Sequence, residues 1–170
     1  MDIILWRHAQ AEVGEPDEGR ELTPHGRKQA ARMGAWLDRS LPEGCRILCS
    51  PTMRTQQTAD ALGRKYKIVD AIGPQASATE VLDATGWPAS RRPVMVIGHQ
   101  PWLGELASLL LTGEEQSWTI RKSNAWWIAG RERVDGNEIF LKAVLAPEFF
   151  IDCLIPFIDT IARARQTPRA

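Results

Sequence analysis

Three times along this chain of 170 residues, a short apolar run stops abruptly at polar groups. Ile3 to Trp6 runs into Arg7-His8, Arg46 to Cys49 leads into Ser50-Pro51, and Val94 to Ile97 breaks at Gly98-His99. Brief, compact runs of this kind read as buried strands that end in loops. Between them lie windows with helical spacing. Thr23-Pro24 places a capping residue before a proline at the first helical position. Ala30, Met33, Trp36, Leu37 and Leu41 follow on one face, and Leu41-Pro42-Glu43-Gly44 ends the helix. Ser50-Pro51 repeats the cap-and-proline signal and predicts a helix through about Tyr66. A weak strand over Lys67 to Asp70 and a loop of Gly, Pro and Ser come next. Trp102, Leu103, Leu106, Leu109 and Leu110 predict another helix, stopped at Gly113. Beyond Ser123 the period changes: Ala125 to Ala129, a turn at Asp135-Gly136, and Glu138 to Val144 predict a β-hairpin. The apolar residues from Phe149 to Ile161 predict a last helix interrupted or begun at Pro156, with residues 166–170 frayed.

Alternation of this sort predicts an α/β fold: a mostly parallel central sheet with helices on both faces and the C-terminal hairpin on the sheet edge. The length suits one domain over residues 1–170. In such sheets ligands bind outside the carboxyl ends of the strands. That rule brings Arg7, His8, Arg54 and His99 to one edge, two guanidinium groups and two imidazoles beside helix N-termini that favour anions. Arginine forks match phosphate oxygens bidentately. Arg54 lies in a first helical turn, where the dipole disfavours a cation, and Gln57 and Thr58 stand where a compensating acid would be. A ligand anion is the expected partner. A single histidine after a strand is more often a capping or core group; the coincidence at three strand ends points to a phosphate pocket.

Lys plus Arg equals Asp plus Glu at 21 each, so no global field draws the chain to nucleic acid or to acidic membranes, and anion recognition must be local. Cys45, Cys49 and Cys153 are odd in number and form no CxxC pair, which fits a reducing compartment rather than a disulfide framework. The N-terminus lacks a basic segment followed by a long apolar one, and runs such as Leu106 to Leu111 fall short of the ~20 apolar residues of a membrane span. A cytoplasmic protein is expected. Three widely spaced histidines predict no metal site, and no cofactor is expected. The seven tryptophans read as core and sheet packing before an aromatic binding surface. Trp126-Trp127 and Phe149-Phe150 are compatible with core or with a subunit contact.

Four segments resemble motifs of the histidine phosphatase superfamily, also called phosphoglycerate-mutase-like. Leu5-Trp6-Arg7-His8-Ala9 resembles its Arg-His-Gly/Ala signature, and Leu22-Thr23-Pro24-His25-Gly26-Arg27-Lys28-Gln29-Ala30 its Leu-Thr-x-x-Gly-x-x-Gln-Ala helix start. Ser50-Pro51-x-x-Arg54-x-x-Gln57-Thr58-Ala59 resembles its Ser-Pro-x-x-Arg-x-x-Gln-Thr-Ala segment, and Gly98-His99-Gln100-Pro101 its second-histidine motif. Order and spacing agree across about residues 2 to 112. The short length and the Arg-His-Ala variant are most similar to the branch of bacterial protein-phosphohistidine phosphatases.

The resemblance implies a metal-independent phosphatase in which His8 attacks phosphorus and forms a covalent phosphohistidine that water then hydrolyses. Arg7, Arg54 and His99 would hold the phosphoryl charge. Glu80, between the third and fourth strands, is the implied general acid. Arg20 and Gln10 are implied phosphate or substrate contacts. His25 reads as exposed and Cys49 as packed. The expected substrate is phosphohistidine in a protein; the alternatives are a small phosphoester or a pocket that binds phosphate without turning it over.

Overall fold

The computed structural model describes residues 1–134 and 136–150. Four parallel strands, β1 (Asp2–Arg7), β2 (Arg46–Cys49), β3 (Lys67–Ile68) and β4 (Val94–Gly98), form most of one sheet. The hairpin of β5 (Ala125–Arg133) and β6 (Gly136–Leu145) joins it antiparallel beside β1, giving the order β3-β2-β4-β1-β5-β6. The expected α/β architecture, hairpin edge included, is what the chain adopts. Helices α1 (Pro24–Ser40), α2 (Met53–Asp60), α3 (Ala78–Thr85) and α4 (Trp102–Thr112) cover both faces.

The continuous apolar runs follow from this two-sided burial. On β1, Ile3 and Leu5 pack with Val94, Val96, Val81, Leu103 and Leu106, on the side of α3 and α4. Ile4 and Trp6 point the other way, onto Met95, Ile97, Met33, Leu37 and Ala59, under α1 and α2. Adjacent residues thus feed opposite cores, so neither can be polar. The tryptophans take part: Trp6, Trp87, Trp102 and Trp127 are buried, and Trp36, Trp118 and Trp126 are partly buried against the clusters. Trp126 and Trp127 belong to opposite faces, and Phe150 lies on Trp36 with ring centroids 5.6 Å apart.

α1 starts as its sequence predicts, with the Thr23 hydroxyl accepting from the Gly26 amide at 2.8 Å. Gly26 has a second reason to be glycine. A Cβ there would lie 1.9 Å from the Gln10 carbonyl oxygen, so the helix start presses directly on the backbone just past β1.

Three elements differ from expectation. α2 begins at Met53 and ends at Asp60, with Thr52 at the cap position, rather than running from Ser50-Pro51 to Tyr66. Ser50 still belongs to the sheet edge, its amide donating to the Ile97 carbonyl at 3.1 Å. α3 replaces part of the expected loop. Ser77 accepts from the Glu80 amide at 3.2 Å while the Glu80 carboxylate accepts from the Ser77 amide at 2.8 Å, a capping box. β5 starts at Ala125 as predicted but runs on to Arg133, β6 is longer than predicted at both ends, and Pro147–Phe149 forms a single 3₁₀ turn. The predicted last helix beyond Phe150, the frayed end, Cys153 and Asp135 lie outside the described residues. Cys45 and Cys49 are free thiols, pushed up by burial to about 11 and about 12, so neither is a ready nucleophile. Among the described residues no helix is long and apolar enough to cross a membrane.

Candidate active site

The pairing of β1 with β4 sets Arg7 opposite Gly98, so His8 and His99 leave adjacent strands at the same level. The His8 amide continues the ladder, donating to the Gly98 carbonyl at 3.0 Å, and the two imidazoles stand 5.2 Å apart between centroids. Gly98 leaves space that the Trp102 ring fills; a Cβ there would come within 2.1 Å of it. That ring also meets His99 edge-on, with centroids 6.3 Å apart, and its Nε1 donates to the Gly73 carbonyl at 3.0 Å.

Hydrogen bonds decide the state of each imidazole. His8 Nδ1 lies 2.7 Å from the Ala9 carbonyl oxygen. A carbonyl only accepts, so Nδ1 carries the proton and Nε2 keeps its lone pair. The Ala9 amide is in turn tied to the Thr58 hydroxyl at 3.1 Å, and that hydroxyl donates to the Arg54 carbonyl at 2.7 Å. On the other side the His8 carbonyl accepts from Ser123, a buried residue held at a left-handed φ of 62°. His99 is opposite in tautomer. Its Nδ1 faces Arg54 Nη2 at 3.4 Å, and a guanidinium only donates, so His99 Nε2 carries the proton toward Ser50 Oγ at 2.7 Å. Burial pushes His8 and His99 down to about 3, and positive neighbours add to the effect: Arg54, Arg7 and Lys122 at His8, Arg54 and Arg7 at His99. Both imidazoles are neutral near pH 7, which is the nucleophilic form.

The guanidinium groups approach from separate elements. Arg7 donates through Nη1 to the Ile120 carbonyl at 2.8 Å, and Arg54 is buried at the start of α2. The Nε–H of each is buried and meets no acceptor among the described residues. The acid that Arg54 lacks within its own helix comes from elsewhere: Asp17 receives Nη1 on its carbonyl at 2.6 Å and Nη2 on Oδ2 at 2.8 Å. Asp17 Oδ1 accepts from Arg20 Nε and Nη2, at 2.9 and 2.7 Å, and these bonds hold its carboxyl below the usual range. Arg20 therefore reaches Arg54 through Asp17. The Gln10 side chain lies 3.5 Å from the Thr23 hydroxyl, at the start of α1.

Glu80 is not set up as the expected acid. Its carboxylate accepts from both the amide and the hydroxyl of Ser77 at 2.8 Å, is exposed, and is held below the ordinary carboxylate range by those bonds. A general acid has to carry a proton at working pH, and the capping box favours the charged form. His25 is exposed, as expected. Sequence reasoning missed Asp17, the Ile120 carbonyl and Ser123, and it read Ser50 as a helix cap rather than as the partner of His99. Only Ser50 carried a motif that could have shown this.

The model for the histidine phosphatase superfamily, branch 1, matches residues 3–73. A phosphohistidine phosphatase SixA homolog of Haemophilus influenzae is 32% identical over 126 residues, covering 65% of this chain and 77% of that protein. The phosphohistidine phosphatase SixA of Escherichia coli is 27% identical over 127 residues, covering 67% and 76%. The solved structure of the protein histidine phosphatase SixA complexed with tungstate superposes with a TM-score of 0.72 at 23% identity, over 89% of this chain and all of that one.

Proposed function

Because this chain belongs to the histidine phosphatase superfamily, we propose that it hydrolyses phosphohistidine carried on a protein, by way of a phosphoryl group held on His8. The observation that carries this reading is the bond from His8 Nδ1 to the Ala9 carbonyl, which leaves Nε2 free to attack. The lone pair on Nε2 forms the new P–N bond as the bond from phosphorus to the substrate's imidazole breaks. A phosphorylated imidazole with a proton on its second nitrogen leaves as neutral imidazole, so the enzyme need not supply an acid. Phosphorylated His8 is in the same condition, since Nδ1 keeps its proton. Water then takes the phosphoryl group, inorganic phosphate departs, and His8 returns to its starting tautomer.

Charge on the transferring group falls to Arg7 and Arg54, fixed donors in a largely buried site, while His99, whose N–H is held by Ser50, turns its other nitrogen to Arg54 and orients that guanidinium. Loss of one such donor typically raises the barrier by about 2.7–4 kcal/mol. No step in this scheme needs a metal, because cationic side chains supply the positive charge. Glu80 in its capping box fits a substrate whose leaving group needs no help, and two relatives that bear the phosphohistidine phosphatase name support the same class. Arg20, linked to Arg54 through Asp17, and Gln10, at the start of α1, are proposed as contacts for a protein substrate. A cytoplasmic setting, with no role for nucleic acid or membrane, completes the reading.

Phosphate release by wild type and His8→Ala tests it, on p-nitrophenyl phosphate and on a phosphohistidine-bearing protein. Wild type should act on both and much faster on the phosphoprotein, with the variant slower by at least a thousandfold. Equal inertness of the two proteins on both substrates would leave a phosphate-binding module instead.

A further inference from the structure

The contact between Asp17 and Arg54 has a shape that an ordinary surface ion pair lacks. Two oxygens of one residue, the carboxylate Oδ2 and the main-chain carbonyl, fill the two terminal nitrogens of a buried guanidinium at 2.8 and 2.6 Å. That is the side-by-side pattern in which two oxygens of a phosphoryl group engage an arginine fork. We propose that Asp17 is a built-in competitor for the phosphoryl group, occupying on Arg54 the place that substrate and product phosphate must take. This rests on the reading of the pocket as a phosphoryl site.

Unequal burial determines which partner yields. The Arg54 side chain is 4% exposed and anchored in the site, whereas that of Asp17 is 46% exposed, on the loop between β1 and α1. Its other oxygen stays on Arg20, so the carboxylate has a cation to remain with when it leaves Arg54. The loop also has room to shift. It borders a hollow of about 520 Å³ lined in part by Glu12, Gly14, Glu15 and Pro16, and no atom lies within 4 Å of where a Cβ on Gly14 would be.

Two anions cannot share one guanidinium fork at hydrogen-bond distance without strong repulsion. An arriving phosphoryl group therefore expels Asp17, and Asp17 returns as phosphate leaves. The device weakens the hold on small anions in general and speeds product release. Arg20 acts in this scheme as the parking place for the displaced carboxylate.

Calorimetric titration with inorganic phosphate tests the idea on wild type, Asp17→Asn and Asp17→Ala, with thermal melts to confirm folding. Both variants should bind phosphate about tenfold more tightly, and the gain should vanish when Arg54→Ala is added. Unchanged or weaker binding in folded variants would overturn it and make Asp17 a residue that positions Arg54. Phosphohistidine hydrolysis by wild type, followed separately, reports on the substrate. Tighter phosphate binding in the variants with no such hydrolysis in wild type would keep the competition and discard that substrate.

Discussion

His8 and His99, held at about 3 against an ordinary 6.5, impose a dependence on pH that can be read from the whole protein. In the unfolded chain both imidazoles take up protons near pH 6.5, while in the folded one burial resists them until far lower. The unfolded state therefore binds more protons over that window. Stability from these groups is fully present above pH 6.5 and drains away as pH falls toward 3. The expected result is a urea midpoint that drops between pH 7 and pH 4.5 more steeply in wild type than in His99→Asn. Parallel slopes would mean that His99 takes up its proton as readily in the folded protein as in the unfolded one. The same burial keeps His8, the proposed nucleophile, neutral well into the acid range. Ser50 matters at this scale too, because its hydroxyl receives the His99 proton and leaves Nδ1 turned to Arg54.

Among the elements, α3 is the one whose role changes most on inspection. Its capping box uses the carboxylate that a catalytic reading of Glu80 would need free. Glu80→Ala should cost about 0.3–1.5 kcal/mol of stability, the usual range for one part of a helix cap, and leave turnover of p-nitrophenyl phosphate within about twofold. A drop in turnover of a hundredfold in a folded variant would restore Glu80 as the acid. The helix escaped sequence reading because Ala78, Val81 and Thr85 are too few to display a period, and β3 was visible only weakly because both its residues are exposed. β1, β2 and β4 were legible since burial on two faces forces an unbroken apolar run. In the site, Arg7, His8, Arg54 and His99 sit inside contiguous motifs and could be named in advance. Asp17 and Ile120 could not: they meet Arg54 and Arg7 across 37 and 113 residues of chain, and nothing local marks them.

At the scale of the molecule, two cores lean on the same pair of central strands, one under α3 and α4, the other under α1 and α2. Leu106, fully buried in the first, tests how far stability and chemistry are separable. Leu106→Ala should lose about 2–5 kcal/mol and melt correspondingly lower, yet turn over substrate at near the wild-type rate in the cold, where it remains folded. A low rate at a temperature where the variant is fully folded would show that the core shapes the pocket as well as supporting it. The alignment of Arg7 with Gly98 bears on descent as much as on catalysis. A residue gained or lost inside β1 or β4 would exchange the two faces of that strand and carry a histidine off its level, so an indel there should abolish the proposed phosphoryl transfer. Loops such as the one carrying Asp17 are under no such count. Lineages built on this frame can drift in what they accept by lengthening or trimming loops, while the two histidines stay locked in phase.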